Sequence, residues 1–424
     1  MSKTGKSATF ERVLPFVEAR HLVEAEAARL LETRKAQVES ADLLAARGRV
    51  LAEEVRADRD LPPFRRATRD GFAVFAADLA TASQAFPVSL DVISEIAAGA
   101  RELPRLQSGE AAAIMTGAPV PEAADAVVMV EHTRSSSRGQ VEILRAVVHG
   151  ENIVPRGAEA RAGAALLACG SRLDAAALAV AASSGKAQVQ VFQRPRVAVL
   201  STGDELVEIT AAPGPHQIRN SNTYSLAAQI GAAGGEAVLL PIAPDETSRL
   251  AELISDGLGA DLLLLSGGVS MGKYDFVEQA LAQFHAEFFF TGALIQPGRP
   301  VVFGRALSGD GSSKYFLGLP GNPVSTLVTF ALFAAPIISA LSGARPQPLR
   351  FLQARLKAEI RTRTGLTRFF PARLSNEQEK TEVERIPWQG SGDVVATAQA
   401  NCYIVVPPDR ASLEAGEMVH VLPA

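Results

Sequence analysis

The feature that most constrains the fold is a run of four leucines that ends at two glycines. Residues 262–265 are Leu-Leu-Leu-Leu, and Ser266-Gly267-Gly268 follows them directly. Four consecutive apolar residues are too few for a globular helix and predict a strand buried on both faces, as at the centre of a parallel sheet. In an open α/β sheet, ligands bind beyond the carboxyl ends of the strands, where a glycine turn lets backbone N–H groups approach an anion. The turn after the leucines is therefore the first predicted binding site.

A second glycine turn follows another apolar strand pattern. Residues 315–320 lead into Gly321-Asn322-Pro323-Val324-Ser325, and an apolar segment then extends to Leu341. Asn322 is a typical helix N-cap, and proline is favoured at the first helical position. The segment carries no charged side chain, but it is short for a membrane span and contains Pro336. We therefore predict a buried helix rather than a transmembrane one.

Alternating strand and helix patterns surround the leucine run. Another apolar strand pattern occupies residues 196–200, and the alternation predicts a parallel sheet with helices on both faces. Glu205, Asp245 and Asp275 each follow a predicted strand, so they are expected to converge at one edge of the sheet. Carboxylate oxygens are ligands that Mg²⁺ prefers, which predicts a metal site. The alternative for Asp245 is a helix N-cap for residues 247–258.

The remaining chain is too long for one core, since 424 residues favour several domains. Helical spacing predicts two helices within residues 10–57 and a further helix at 174–184, with short strand patterns between these two regions and again after residue 345. The predicted organisation is an α/β multidomain protein. Its domains are a helical linker domain (7–57 plus 158–193), an inserted β-rich domain (58–157), an α/β domain with a central parallel sheet (194–344) and a C-terminal β barrel (345–424).

Composition excludes several classes of function. The net charge of −4 lacks the basic excess that is usual in nucleic-acid binding proteins. Cys169 and Cys402 lie far apart, and the six histidines show no ligand spacing, so neither a disulfide framework nor a zinc site is indicated. The first ten residues are polar and lack the apolar core of a signal peptide. We therefore expect a cytoplasmic protein that contacts neither nucleic acid nor membrane.

Two further motifs lie in the predicted β-rich insertion. Asp70 precedes Gly71 at the end of a loop stiffened by Pro62 and Pro63, and Thr116 opens the stretch Thr-Gly-Ala-Pro-Val-Pro. Each motif by itself is typical of a turn.

Taken together, these motifs carry a resemblance. The stretches SGGVSMGKYD, QPGRP and GLPGNPVS, in this order and spacing, resemble the molybdopterin-binding domain of the MoeA family. That family includes bacterial molybdopterin molybdenumtransferases and the E domain of gephyrin. The motifs at Asp70 and Thr116 are similar to the family's stretches at corresponding places. The resemblance extends over nearly the whole chain and implies that the α/β domain is a MogA-like molybdopterin-binding domain.

The resemblance also implies site residues. It gives Asp70, Thr116, Glu205 and Asp275 catalytic roles, and makes Glu205, Asp245 and Asp275 metal ligands. Glu159 stands where the family commonly has an aspartate, and it too is a predicted functional residue. The implied substrate contacts are Ser266, Gly267, Gly268, Ser270, Gly272, Pro297, Gly298, Arg299, Pro320, Gly321, Asn322, Pro323, Ser325, Arg368 and Ser391.

The chain departs from the family at two places. Arg65, Arg66 and Arg69 stand in a stretch where members often carry Asp-Asn-Ser-Ala-Met before the Asp-Gly pair. Gly292 and Gln296 occupy positions where bacterial members often carry lysines. The cationic lining is therefore reduced, unless the three arginines compensate.

By resemblance, the protein uses Mg²⁺ to insert molybdenum from molybdate into adenylylated molybdopterin and releases AMP. The family also implies a homodimer with an active site shared between subunits, and a molybdopterin adenylyltransferase as upstream partner. Two alternatives remain open: a molybdopterin adenylyltransferase, whose single domain has the same α/β core, and a non-catalytic molybdopterin-binding scaffold. The sequence does not distinguish molybdate from tungstate.

Overall fold

The amino-terminal half consists mainly of short strands that pair across long sequence separations. The computed structural model describes residues 12–33, 37–136, 139–268, 276–345, 347–377 and 380–424. The elements of this half are β1 (Val13–Leu14), α1 (Phe16–Thr33), β2 (Val38–Asp42), β3 (Val55–Arg56), β4 (Arg66–Ala67), β5 (Gly71–Val74), β6 (Val88–Ile96), β7 (Glu110–Ile114), β8 (Ala126–Met129), β9 (Thr133–Ser135), β10 (Gln140–Ile143), β11 (Ile153–Val154), β12 (Ala165–Leu167), α2 (Ala175–Ser183) and β13 (Gln188–Phe192).

The strands β5 to β10 form one six-stranded sheet within the β-rich stretch, in the order β8-β5-β7-β6-β10-β9. The strands on either side of this stretch pair with each other, β2 with β13 and β3 with β12. The chain thus leaves this small paired unit, builds the β-rich sheet and returns to it.

One of the two helices predicted within residues 10–57 is wrong. The helix α1 is present, but β2 and turns occupy the second stretch. The apolar residues of this second stretch do not pack into one core: Leu44 is 88% exposed, whereas Leu51 is fully buried. Pairing of β2 with β13 overrides the helical spacing, as tertiary contacts commonly override local propensity.

The predicted central strand is confirmed. The elements of this region are β14 (Arg196–Ser201), β15 (Leu206–Val207), β16 (Ile218–Arg219), α3 (Asn222–Ala233), β17 (Glu236–Leu239), α4 (Thr247–Gly257), β18 (Leu262–Ser266), α5 (Phe276–Ala282), β19 (Glu287–Phe290), β20 (Gly292–Ala293), β21 (Ile295–Gln296), β22 (Val302–Leu307), β23 (Ser313–Leu319), α6 (Pro323–Thr329) and α7 (Ala335–Leu341). The leucines form β18, between β14 and β23 in the sheet β17-β14-β18-β23-β22-β19. The strands β17, β14, β18 and β23 are parallel, and β22 runs antiparallel to β23.

Successive leucines of β18 belong to different cores. Leu262 and Leu264 pack with α1, α3 and α7 on one face of the sheet, while Leu263 and Leu265 pack with α4 and α5 on the other. All four side chains are fully buried, which explains why no polar residue interrupts the run.

The apolar helix that follows β23 is a core helix. Residues Pro323–Leu341 have a mean hydropathy of 2.1 and pass as a membrane span by length, but 67% of the stretch is buried. A π-helical turn, Phe330–Ala334, separates α6 from α7. Pro336 has no N–H to give to the carbonyl of Leu332, and Arg20 Nη1 donates to that oxygen at 3.0 Å instead. A side chain of the N-terminal helix thereby hydrogen-bonds to the core helix beside Pro336.

The last region is a closed barrel. Its elements are β24 (Leu352–Leu356), β25 (Ile360–Arg361), β26 (Thr367–Glu377), β27 (Lys380–Arg385), α8 (Val394–Ala398), β28 (Cys402–Val406), β29 (Ser412–Leu413) and β30 (Met418–Pro423). The cycle β26-β27-β24-β30-β28 closes because β28 also pairs with β26. The strand β21 adds to β26 in parallel and joins the barrel to the α/β region.

Replacing a central leucine should destabilise the α/β region. We expect Leu264→Ala to lower its free energy of unfolding by about 2–5 kcal/mol, because a fully buried side chain would leave a cavity. The measurement is urea unfolding followed by circular dichroism. Leu44→Ala is the matched control, since Leu44 is 88% exposed. Equal effects of the two substitutions would contradict the placement of β18.

Candidate functional site

The two glycine turns meet at the carboxyl edge of the sheet. Ser266 at the end of β18 pairs with Leu319 at the end of β23, and the N–H of Gly267 donates to the Leu319 carbonyl at 3.1 Å. A Cβ on Gly267 would lie 2.5 Å from the Thr202 carbonyl oxygen, and the φ of +93° disfavours other residues. A Cβ on Gly321 would lie 3.5 Å from the Gly267 Cα, so the two turns approach each other backbone to backbone.

A cavity of about 310 Å³ opens where the turns meet. Glu205 and Asp245, which follow different strands, both line this cavity, as the sequence predicted. Their chemical roles remain predictions. The described lining residues are Thr202, Gly203, Glu205, Leu206, Ile218, Asn222, Asp245, Ser266, Gly267, Gly268, Pro300, Pro320, Gly321 and Asn322.

The two carboxylates are held in different ways. The Thr202 hydroxyl donates to Asp245 Oδ1 at 3.2 Å, and the Asp245 N–H donates to Asp204 Oδ1 at 3.1 Å. The N-cap of α4 is Glu246, so the alternative of Asp245 as N-cap is wrong. The Glu205 carboxylate lies against Gly203, where a Cβ would meet Oε2 at 2.4 Å.

This donor set suits a hard cation. Mg²⁺ is commonly bound through one or two carboxylates together with substrate phosphates, and two carboxylates line this cavity. Within the described ranges, no group of three or more His, Cys, Asp or Glu side chains is placed to hold a metal ion. The third predicted ligand, Asp275, lies outside the described residues, as do Ser270 and Gly272. The magnesium site therefore stays a prediction.

A second cavity of about 330 Å³ adjoins the first, with Pro300, Pro320 and Asn322 lining both. Its other described lining residues are Ile295, Gln296, Pro297, Gly298, Arg299, Ser325, Leu366, Trp388, Gly390 and Ser391. The carbonyl of Ser391 accepts from the N–H of Val324 at 3.0 Å, which holds a loop of the barrel region against the start of α6. Pro323 directly follows the shared Asn322 as the first residue of α6.

The prediction that Arg368 contacts the substrate directly is not supported by its placement. Its side chain is buried, with Nε donating to Gln296 Oε1 at 2.8 Å and Nη1 to the Leu366 carbonyl at 3.2 Å. Both partners line the second cavity, so Arg368 supports its wall from behind.

Asp70 and Thr116 lie together, but outside both cavities as lined by the described residues. The Thr116 N–H donates to Asp70 Oδ1 at 2.6 Å, and this hydrogen bond lowers the pKa of the exposed Asp70 carboxyl. Met115 and Val130 beside them are 45% and 52% exposed. Within one chain, Asp70 and Thr116 therefore lie on the protein surface, apart from the described lining of both cavities.

The remaining predicted residues of this region pair locally. The exposed Glu159 carboxylate forms an ion pair with Arg66 at 3.0 Å. Arg65 donates to the Glu122 carbonyl at 3.1 Å. These two arginines are thus engaged within their own region.

Several lining residues of the first cavity were not predicted from the sequence, Thr202 and Asn222 among them. Thr202 directly follows the strand β14, so the rule that found Glu205 could also have found it. Asn222 is the first residue of α3 and reaches the cavity from a helix, a placement that no local sequence pattern predicts.

Comparison with family models covers most of the chain. Residues 14–185 match the MoeA N-terminal region (domain I and II). Residues 198–340 match a probable molybdopterin binding domain, and residues 353–424 match the MoeA C-terminal region (domain IV).

Individual relatives are similar to this chain over most of its length. The chain is 37% identical over 387 residues to the molybdopterin molybdenumtransferase of Nostoc sp., covering 91% of this chain and 88% of the relative. It is 34% identical over 379 residues to that of Bacillus subtilis, covering 88% and 87%. A crystal structure of the molybdopterin biosynthesis MoeA protein from Pyrococcus horikoshii OT3 aligns with a TM-score of 0.77 and 28% identity, covering 97% of this chain and 100% of that one.

The close approach of Gly267 to the Thr202 carbonyl predicts a strict need for glycine at this position. Gly267→Ala should lower the stability of the protein by about 1–3 kcal/mol, because of the clash with Thr202 and the positive φ. Gly309→Ala is the control, since nothing lies within 4 Å of a Cβ there. Thermal unfolding midpoints compare the two, and an unchanged midpoint for Gly267→Ala would show that Gly267 does not lie against the Thr202 carbonyl as described.

Proposed function

Because the chain belongs to the MoeA family, we propose that it is a molybdopterin molybdenumtransferase. In this reaction, adenylylated molybdopterin and molybdate give the molybdenum-loaded cofactor and AMP. The observation that carries the proposal is the cavity in which two glycine turns face two carboxylates, within the region matched to a molybdopterin-binding domain.

The first cavity suits the diphosphate of the substrate. At glycine turns such as those at Gly267 and Gly321, no Cβ blocks the approach of backbone N–H groups to phosphate oxygens. Glu205 and Asp245 would repel the same phosphates, so their presence favours a divalent cation between protein and substrate. Mg²⁺ bound there would neutralise charge that develops on the phosphate oxygens.

The second cavity suits the smaller oxyanion. Arg299 lines it together with the hydroxyl residues Ser325 and Ser391. Gln296 contributes a neutral amide in place of an ammonium group, so Arg299 is the cation that the described lining offers to molybdate. Since the cavities adjoin, both substrates can be held side by side.

We further propose a homodimer in which the inserted region of one subunit completes the cavity of the other. Support comes from Asp70 and Thr116, which lie outside the cavities of their own chain, and from the exposed apolar residues Met115 and Val130 beside them. In a two-fold dimer this arrangement makes two equivalent sites. A molybdopterin adenylyltransferase would supply the substrate, and a cytoplasmic location agrees with the biosynthetic role named for the relatives.

The direct test is an anaerobic assay of the purified protein with adenylylated molybdopterin and Mg²⁺. Release of AMP that depends on molybdate, with formation of molybdenum cofactor, is the expected result, and tungstate in a parallel reaction measures selectivity. AMP release that ignores oxyanion, or adenylylation of molybdopterin from ATP instead, would overturn the proposal.

Removing one cavity carboxylate should abolish turnover without unfolding the protein. We expect Glu205→Gln to reduce molybdate-dependent AMP release at least about a hundredfold, the loss typical when an electrostatic group of an active site is removed. Its thermal midpoint should not change, because the side chain is exposed. Glu208→Gln, a nearby exposed carboxylate outside the lining, serves as control and should retain full activity.

The shared site predicts complementation between inactive subunits. Asp70→Ala and Asp245→Ala homodimers should both be inactive, yet mixing them by unfolding and refolding should restore activity. Each heterodimer would carry one site with both changes and one with neither, so random pairing gives roughly a quarter of wild-type activity. Each variant refolded alone is the control, and differently tagged subunits verify exchange. Absence of recovery despite exchange would place the whole site within one chain.

A further inference from the structure

The amide of Asn222 links the two glycine turns. Its Nδ2 donates to Ser266 Oγ at 2.9 Å and to the Gly321 carbonyl at 2.7 Å. Ser266 ends the strand β18, and Gly321 begins the turn after β23. One side chain of α3 thus holds together the ends of two neighbouring strands, at the wall of the cavity.

Chemistry fixes the orientation of this amide. The Gly321 carbonyl can only accept a hydrogen bond, so the nitrogen of Asn222 must face it and Oδ1 must face away. Oδ1 is buried and has no hydrogen-bond partner in the described residues. The two acceptors of Nδ2 therefore set the orientation of the amide, and no described partner of Oδ1 competes with them.

The same orientation determines what Ser266 can do. The amide nitrogen has no lone pair to offer, so Ser266 Oγ accepts from Asn222 and its own hydrogen stays available. Ser266 lines the cavity with 2% exposure. Its hydroxyl is therefore held as a donor, the polarity that an anionic oxygen in the cavity requires.

Further hydrogen bonds hold the start of α3, and with it Asn222, in place. Asn220 Oδ1 accepts from the Thr223 N–H at 3.3 Å, and the buried Ser201 hydroxyl contacts Asn220 Oδ1 at 3.2 Å and Thr223 Oγ1 at 2.9 Å. These hydrogen bonds fasten the start of α3 to the end of β14. The amide of Asn222 is thus preorganised before any ligand binds.

We propose that Asn222 is a positioning residue that sets the spacing of the two turns and holds the Ser266 hydroxyl as a donor to a phosphate of adenylylated molybdopterin. This inference rests on the proposed function and names a residue through which that site is organised. Asn222 acts through Ser266 and Gly321.

Gln229 offers a matched control on the same helix. It lies seven residues further along α3, and its Nε2 donates to the Leu327 carbonyl at 3.2 Å. Its Oε1 is also buried, with no hydrogen-bond partner among the residues that the structure describes. Gln229 does not line the cavity, however. Replacing either residue by alanine removes a similar hydrogen bond between α3 and the segment after β23.

The test compares Asn222→Ala with Gln229→Ala in the anaerobic assay and in direct binding of adenylylated molybdopterin. Asn222→Ala should raise the KM for adenylylated molybdopterin roughly tenfold, as for loss of one hydrogen bond to a charged group, while kcat changes much less. Gln229→Ala should leave KM unchanged, although both variants shift the thermal midpoint similarly. In combination with Ser266→Ala, Asn222→Ala should add less than its separate effect, because Asn222 orients the hydroxyl that Ser266→Ala removes.

Asn222→Asp is the control for misfolding. It keeps the size of the side chain, but its carboxylate cannot donate a hydrogen bond to the Gly321 carbonyl. It should weaken substrate binding at least as much as Asn222→Ala. Equal KM and affinity for the Asn222 variants and Gln229→Ala would overturn the inference, as would full additivity with Ser266→Ala. Failure of the wild-type protein to turn over would instead count against the proposed function, and the binding comparison would still decide the role of Asn222.

Discussion

The backbone contact between the turns after β18 and β23 is the constraint on which the site depends. The two strands are parallel neighbours in register, so their carboxyl ends arrive side by side. No side chain fits between Gly267 and the Thr202 carbonyl, and the backbone of Gly321 lies against Gly267. Burial of the strands on both faces fixes their ends, and the glycines convert those fixed ends into a cavity that an anion can enter.

The surrounding regions hold this edge of the sheet in place. Arg20 of the N-terminal helix takes the Leu332 carbonyl that Pro336 leaves unpaired, which fastens the core helix that begins at the second glycine turn. The barrel region reaches the same helix through the hydrogen bond from Val324 to Ser391. The described lining of the first cavity comes from the α/β region alone, whereas the second cavity is also lined by the barrel region. A single α/β unit would therefore not provide the same walls.

Sequence reasoning succeeded where burial or covalent geometry leaves few choices. Four consecutive leucines predict a strand that is buried on both faces, and a proline inside a helix is tolerated in the first turn, where Pro323 lies. The position of Glu205 and Asp245 beside the cavity follows from the rule that parallel strands end at one edge of the sheet. It failed where long-range pairing decides: the second N-terminal helix gave way to β2 because β13 supplies a partner strand. It did not find Asn222, since nothing local indicates that this side chain bridges two turns. The substrate contact of Arg368 stays a prediction, and the burial of this side chain behind the cavity wall depends on long-range packing.

The most direct measurement is a crystal structure of the protein with adenylylated molybdopterin bound under anaerobic conditions. We predict that the diphosphate lies in the cavity against the backbone of Gly267 and Gly321, within hydrogen-bond distance of the Ser266 hydroxyl, and that Glu205 and Asp245 would hold a divalent cation beside it. A diphosphate bound away from both glycine turns, or bound there without any contact to these carboxylates through a cation, would contradict it.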